Sequence, residues 1–291
     1  MYRLYLLFAF SLISVLLNAQ KRSYNIFTSS GKKIKYKKAI KQLLESDVVF
    51  FGEYHNNTLC HWLQLEFSKS IIAEKDSKVV FGAEFFERDD QLIIDEYLAG
   101  IISYRHLKKE AKLWDNFDTD YAPLLRLAKS VKAPFVATNI PRRYSSIVAN
   151  SGIESLKKLP GKAKQLMMPI DLKVDTSLTC YNNMLKSSMG HGMGISPMNM
   201  IYAQAMKDAT MAESIIRSSK QGYLFLHFNG AYHSDYKEGI VYYLNHYNAQ
   251  KPLTFVCIST VEQEDIEDLE SQHYGKADII ICVDEDFTKS Y

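Results

Sequence analysis

Two tetrapeptides of one design, Gly52-Glu53-Tyr54-His55 and Gly230-Ala231-Tyr232-His233, stand far apart in a chain of 291 residues. Each follows an apolar run, residues 48–51 and 223–226, that reads as a buried strand. Tyr and His ligate metals and haem iron, and His also moves protons at neutral pH. Gly lets the backbone turn sharply without a Cβ clash. If the two strands are neighbours, both tetrapeptides face one pocket.

Other polar residues sit at strand exits, where ligands bind in open parallel sheets. Glu84 interrupts the apolar run 79–86, and burying it without a partner is costly. It therefore reaches a pocket or pairs with Arg88 or Arg142. The next exit carries Asn139, Arg142 and Arg143, and the one after it His227, Asn229 and Gly230. Gln204 and Asp208 lie one helical turn apart, either as a pair exposed to water or as a pocket wall. His191, between glycines, is a ligand on a closing loop or a solvated histidine. His61 reads as structural, and His227 is open to either orientation.

Six continuous apolar runs (48–51, 79–86, 135–138, 223–228, 253–258 and 279–283) have the pattern of strands covered on both faces. Helical periodicity lies between them at 59–71, 124–131 and 236–247. The alternation predicts an α/β fold, a mostly parallel doubly wound sheet with flanking helices. Residues 144–200 hold no strand pattern and read as a helical insertion or lid. Nine of the ten Met residues fall between Met167 and Met211, which suits an adaptable surface or a loose core between helices.

Residues 1–19 read as a secretory signal peptide: Arg3, an apolar stretch, then Asn18-Ala19. An uncleaved anchor is the alternative. No lipobox Cys follows. Residues 20–291 then form a single domain, exported to the periplasm or cell envelope. With a net charge of +2 and scattered Lys and Arg, nucleic-acid binding has no support. Cys257 and Cys282 sit in strand-like runs as buried thiols.

Beyond these features, the chain resembles the ChaN-like haem-binding uptake family, within the superfamily of Tiki proteins, TraB proteins and erythromycin esterases. The matching segments are Phe-Gly-Glu-Tyr-His at 51–55, Gly-Ala-Glu-Phe-Phe-Glu-Arg-Asp-Asp-Gln at 82–91, and Trp-Asp-Asn-Phe with Asp-Tyr-Ala-Pro-Leu at 114–124. Ala-Thr-Asn-Ile-Pro-Arg-Arg at 137–143, Ala-Gln-Ala-Met-Lys-Asp-Ala-Thr-Met-Ala at 203–212 and Asn-Gly-Ala-Tyr-His at 229–233 follow in order. The resemblance implies an exported haem-binding protein of iron uptake, with Tyr as iron ligand at a homodimer interface. An outer-membrane uptake receptor is the implied partner. Glu53, His55, Glu84, Asn139, Asp208, Asn229 and His233 match recurrent family positions. Two features depart from it: the lipobox Cys is missing, and Gly192 stands where some relatives carry Cys.

Two functions follow as expectations. In the first, haem is bound through Tyr54, Tyr232 or a His, with Arg142 or Arg143 on its propionates. In the second, a metal-dependent hydrolase of protease or esterase type holds a divalent metal on His55, His233 and Glu53. There Glu53 or Glu84 acts as general base on bound water.

Overall fold

The computed structural model describes residues 22–169, 172–188 and 196–291. The expected signal peptide and His191 lie outside the described residues. The elements run β1 (Tyr24–Thr28), β2 (Lys33–Ile34), α1 (Tyr36–Leu44), β3 (Val48–Glu53), α2 (Thr58–Glu74), β4 (Val79–Glu87), α3 (Gln91–Leu98), α4 (Tyr104–Glu110), α5 (Ala122–Ser130) and β5 (Phe135–Asn139). They continue with α6 (Arg142–Ser151), α7 (Gly161–Lys164), α8 (Thr179–Ser188), α9 (Pro197–Ser218), β6 (Leu224–Gly230), α10 (Ile240–Tyr247), β7 (Phe255–Gln263) and β8 (Ile279–Asp284).

The strands form one sheet in the order β2-β1-β8-β7-β3-β6-β4-β5. From β8 to β5 every pairing is parallel. The fold is thus α/β, as the alternating pattern predicts. The β1–β2 hairpin is antiparallel, and β1 runs antiparallel to β8 at the sheet margin. Short strands with Asn25, Thr28 and Lys33 give no continuous apolar run, so the sequence pattern misses them. β7 also extends past the expected end at 258, because residues Ile258 to Gln263 pair with β8. That ladder holds Ser259, Thr260 and Gln263 in extended form despite their polarity.

The parallel strands are apolar throughout because both faces are covered. In β3, Val49 and Phe51 enter the core that contains Leu59, Leu63 and Phe67 of α2 and Leu124 and Leu125 of α5. Val48 and Phe50 point the other way, into the core formed with Tyr181 of α8, Ala205 and Ala209 of α9, and Ile240 and Leu244 of α10. α2 starts where Asn57 Oδ1 accepts the Cys60 backbone N–H at 2.9 Å, an N-cap. That cap fixes the short link from β3 that carries Tyr54 and His55.

Between β5 and β6 the described residues form helices and no strand. Part of this segment packs on itself: Ile140, Tyr144, Val148, Leu156, Met167 and Met206 make a third apolar cluster. Met206 and Met211 are fully buried. Three of the seven described methionines in this stretch, Met167, Met206 and Met211, thus fill core space, and Met184 reaches a surface cleft. All four cysteines are buried as free thiols. Among the described residues no helix is long and apolar enough to cross a membrane.

After β3 the chain crosses to β4 on one side, and after β6 it crosses to β7 on the other. The adjacent β3 and β6 thus end beside the place where the winding reverses, the crevice where open α/β sheets bind ligands.

Candidate functional site

The register sets the site. Gly52 lies opposite Asn229, and Glu53 opposite Gly230, so the two tetrapeptides leave the sheet side by side. Their glycines serve close approach rather than a sharp turn. A Cβ on Gly52 would lie 2.9 Å from Ala231 Cα and from the Ile258 carbonyl oxygen. A Cβ on Gly230 would lie 2.9 Å from Cε1 and Nε2 of His55. The His55 ring therefore rests on bare backbone at the end of β6.

Glu53 closes β3 and is buried. Its Oε1 accepts from Tyr121 Oη at 2.7 Å and from His55 Nδ1 at 3.0 Å. Its Oε2 accepts from Gln64 Nε2 at 2.5 Å. Burial alone would raise the Glu53 pKa, but His61, His55 and Gln64 together hold it below the ordinary carboxylate value. Burial works against charge on His55 too, and Glu53 outweighs it, so the His55 pKa is raised. Behind this pair, His61 Nε2 donates to the His55 carbonyl at 3.1 Å, and Asn116 Nδ2 donates to the same carbonyl at 2.8 Å. Trp114 stands edge-on to the His55 ring, with centroids 4.8 Å apart. His61 is thus structural as read, and it positions His55.

The second acid–imidazole group faces the first across Gly230. His233 donates Nε2–H to Glu84 Oε1 at 3.1 Å and Nδ1–H to Asp208 Oδ1. Glu84 Oε2 also accepts the Gly230 backbone N–H at 2.8 Å. Asp208 Oδ2 accepts from Tyr181 Oη at 2.7 Å, and the Gln204 amide lies against the His233 ring. Burial alone would lower the His233 pKa, but Glu84 and Asp208 push it up to about 10. The ring is therefore an imidazolium at neutral pH. The same contact holds the Glu84 carboxyl far below its usual range in spite of burial.

Tyr54, His55, Glu84, Gln204, Gly230, Tyr232 and His233 line one cleft of about 810 Å³. Met184, Lys207, Asp235 and Lys276 complete its walls. Glu53, Glu84 and His233 are buried at its base, whereas Tyr54 at 37% exposed, the His55 side chain at 39% and Tyr232 at 41% reach its surface. Tyr232 Oη donates to the Cys180 carbonyl of α8, which fixes its ring as a wall. The Tyr54 hydroxyl makes no hydrogen bond among the described residues. Two other hollows hold none of this chemistry: one of equal volume lies along β1 and β2 beside Trp62, and a smaller one between α9 and β5.

Several expected residues lie elsewhere. The Arg88 guanidinium turns to α9 and is held by Glu213, Ser214 and the Thr210 carbonyl. Arg143 pairs with Asp89 at 2.5 Å, and neither Arg142 nor Arg143 lines the cleft. Asn139 acts from behind, donating to the Glu84 carbonyl at 3.0 Å. Asn229 donates to Ser234 Oγ at 3.0 Å and braces the turn into His233. His227 is buried in β6, between Thr138 at 2.9 Å and Asn229 at 3.0 Å. Burial drives its pKa down to about 4, so it is neutral.

Nothing in the sequence pattern by itself marks Gln64, Asn116, Tyr121, Tyr181, Lys207, Asp235 or Lys276 for a role. Asn116 and Tyr121 fall within the 114–124 segment of the resemblance, and Lys207 within 203–212, so their neighbourhoods were marked. Among the described residues no group of three or more His, Cys, Asp or Glu is arranged to hold a metal ion. His233 has both nitrogens bound to carboxylates, and Glu53 has both oxygens bound to donors.

Comparison with known proteins places this geometry. The fold matches ChaN of Campylobacter jejuni, a structure described as cofacial haem binding. That match has a TM-score of 0.66 and 16% identity, over 90% of this chain and 97% of the other. The erythromycin esterase EreC in its open conformation matches at TM-score 0.52 and 11% identity, over 93% and 99%. A Bacillus cereus protein matches at 0.51 and 13%, over 90% and 95%. These likenesses establish the fold. Comparison with curated proteins gives no match. The family described as haem-binding uptake, Tiki superfamily, ChaN matches residues 39–244, which include both tetrapeptides. The chain belongs to this haem-binding uptake family of the Tiki superfamily.

Proposed function

We propose that this protein binds haem over the cleft at the ends of β3, β4 and β6, with Tyr54 as the iron ligand, and serves haem or iron uptake. The observation that carries the reading is the Tyr54 side chain. It stands on the cleft rim, 37% exposed, with no hydrogen-bond partner for its hydroxyl among the described residues. The donor set fits the group. A phenol is a known axial ligand of haem iron, and the Tyr54 and Tyr232 rings with Met184 and Ala231 give apolar surface for a macrocycle. The cleft lies within the range of about 300–1,000 Å³ common for small-molecule sites. Burial first, then Glu262 and Asp235, raise the Tyr54 pKa, so the phenol keeps its proton in the free protein. A bound ferric ion is the charge that favours its phenolate form.

His55 is engaged by Glu53 through Nδ1 and packs on Gly230, with its side chain 39% exposed to the cleft. A homodimer closing over the cleft fits the cofacial haem binding described for ChaN of Campylobacter jejuni. The N-terminal segment supports export to the periplasm or envelope, where an outer-membrane uptake receptor is the fitting partner. A haem titration followed in the Soret region tests the reading.

A second reading is favoured by the floor itself, which a haem cradle does not require. His55, oriented by a buried carboxylate and open to the cleft, has the arrangement of a general base for hydrolysis. The paired state of His233 and Glu53 favours chemistry on water without a protein-held divalent metal. Turnover of an ester or amide panel that is lost in His55→Gln and unaffected by chelator would support it.

A further inference from the structure

Lys207 and Lys276 stand out among the cleft residues. Most cations near folded acids in this protein are paired: Lys33 with Glu267 at 2.8 Å, Lys112 with Asp89 at 2.8 Å, and Lys237 with Asp278 at 2.7 Å. Neither Lys207 nor Lys276 makes a side-chain hydrogen bond or ion pair with a described residue. Both are half-buried and both line the cleft. They come from separate elements, Lys207 from α9 and Lys276 from the segment that leads into β8. The field of Lys207 reaches Glu84, and that of Lys276 reaches Asp235. Glu84 is already bound by His233 and the Gly230 N–H, so it leaves the Lys207 ammonium for another anion. Both lysines have backbones fixed by structure: Lys207 within a long helix, and Lys276 through its carbonyl, which accepts the Tyr236 N–H at 2.6 Å.

We propose that Lys207 and Lys276 form a two-point clamp for a flat ligand bearing two carboxylates, the propionate pair of a porphyrin. The clamp rests on the haem reading for its ligand and adds the residues that select and orient it. It replaces Arg142 and Arg143 in that role, since Arg143 is held by Asp89 and both arginines lie outside the cleft. Two partly desolvated ammoniums bind carboxylates more strongly than exposed ones, because screening by water is reduced. They also explain how a floor holding Glu53, Glu84 and Asp208 accepts a dianion: each of these three acids is matched by an imidazole.

The test compares haem, haem dimethyl ester and iron-free protoporphyrin IX against wild type, Lys207→Gln, Lys276→Gln and the double variant. Binding is read by the Soret shift for the iron compounds and by fluorescence for the free base. Each single change should weaken haem and protoporphyrin binding about tenfold. Lys207→Arg and Lys276→Arg should keep most of the affinity. The dimethyl ester should bind weakly and respond to neither lysine. Since neither lysine has a side-chain partner among the described residues, thermal melts of the Gln variants should match wild type.

Haem binding that is equal in wild type and the Gln variants overturns the clamp and leaves the haem reading intact. Lysine-dependent binding of protoporphyrin without a Soret shift for haem keeps the clamp and overturns iron ligation. A wild type that binds none of the three porphyrins overturns both.

Discussion

His233 donates to Glu84 across 3.1 Å and so ties the exit of β6 to β4. With Asp208 on its other nitrogen, the imidazolium is held by two buried carboxylates. Removing it would leave both acids uncompensated, a loss of about 3–5 kcal/mol for a broken buried pair.

The sign of the pH dependence follows. The His233 pKa is raised from 6.5 to about 10, so its contribution to stability is complete below 6.5 and is lost as pH rises towards 10. Glu84 is shifted downward, so its contribution holds above its unfolded value of 4.5 and disappears in strong acid. Urea unfolding midpoints of the wild type should fall between pH 7 and 10. His233→Gln should be less stable at pH 7 and show little of that alkaline slope. Equal slopes in both proteins would contradict the assignment.

Gly230→Ala puts a methyl group 2.9 Å from the His55 ring at a residue whose N–H binds Glu84. Overpacking of this kind costs about 1–3 kcal/mol. Gly161→Ala, which faces open space in a helix, should be neutral or slightly stabilising. Chemical denaturation of the two variants checks the contrast, and a neutral Gly230→Ala would refute the packing of the two motifs.

Glu53→Gln removes the charge that raises the His55 pKa while keeping a side chain of similar shape. NMR titration of His55 should show its pKa falling relative to wild type. An unchanged value would mean that Glu53 does not govern His55 in solution.

Much of this fold is legible in the chain because its parallel strands are buried on both faces. Runs such as Val79–Val80–Phe81 have no solvent side to dilute them. β1 and β2 escape the apolar pattern because they lie at the margin and are short and mixed in polarity. At the site, Glu53, His55, Glu84 and His233 were visible as polar residues breaking apolar runs. Gln64, Tyr121 and Tyr181 were not, since on helical segments their spacing matches ordinary core or surface positions. Only the sheet register, which sets Glu53 opposite Gly230, brings them to one point. The arginines misled for a related reason: residue type marks Arg88 and Arg143 as anion binders, but Glu213 and Asp89 had to be placed before their pairing was visible.

Tyr232→Phe removes only a bond to the Cys180 carbonyl, so it should lower haem affinity modestly and leave the iron spectrum unchanged. A changed axial-ligand spectrum in this variant would move the ligand from Tyr54 to Tyr232.

The central claim is that Tyr54 ligates haem iron at the cleft rim. The most direct measurement is a ferric haem titration of wild type and Tyr54→Phe, followed by visible and resonance Raman spectroscopy. The account predicts a saturable Soret shift in the wild type with phenolate-to-iron signatures, and the loss of those signatures in Tyr54→Phe. A wild type without a Soret shift, or a Tyr54→Phe variant with the wild-type spectrum, would contradict it.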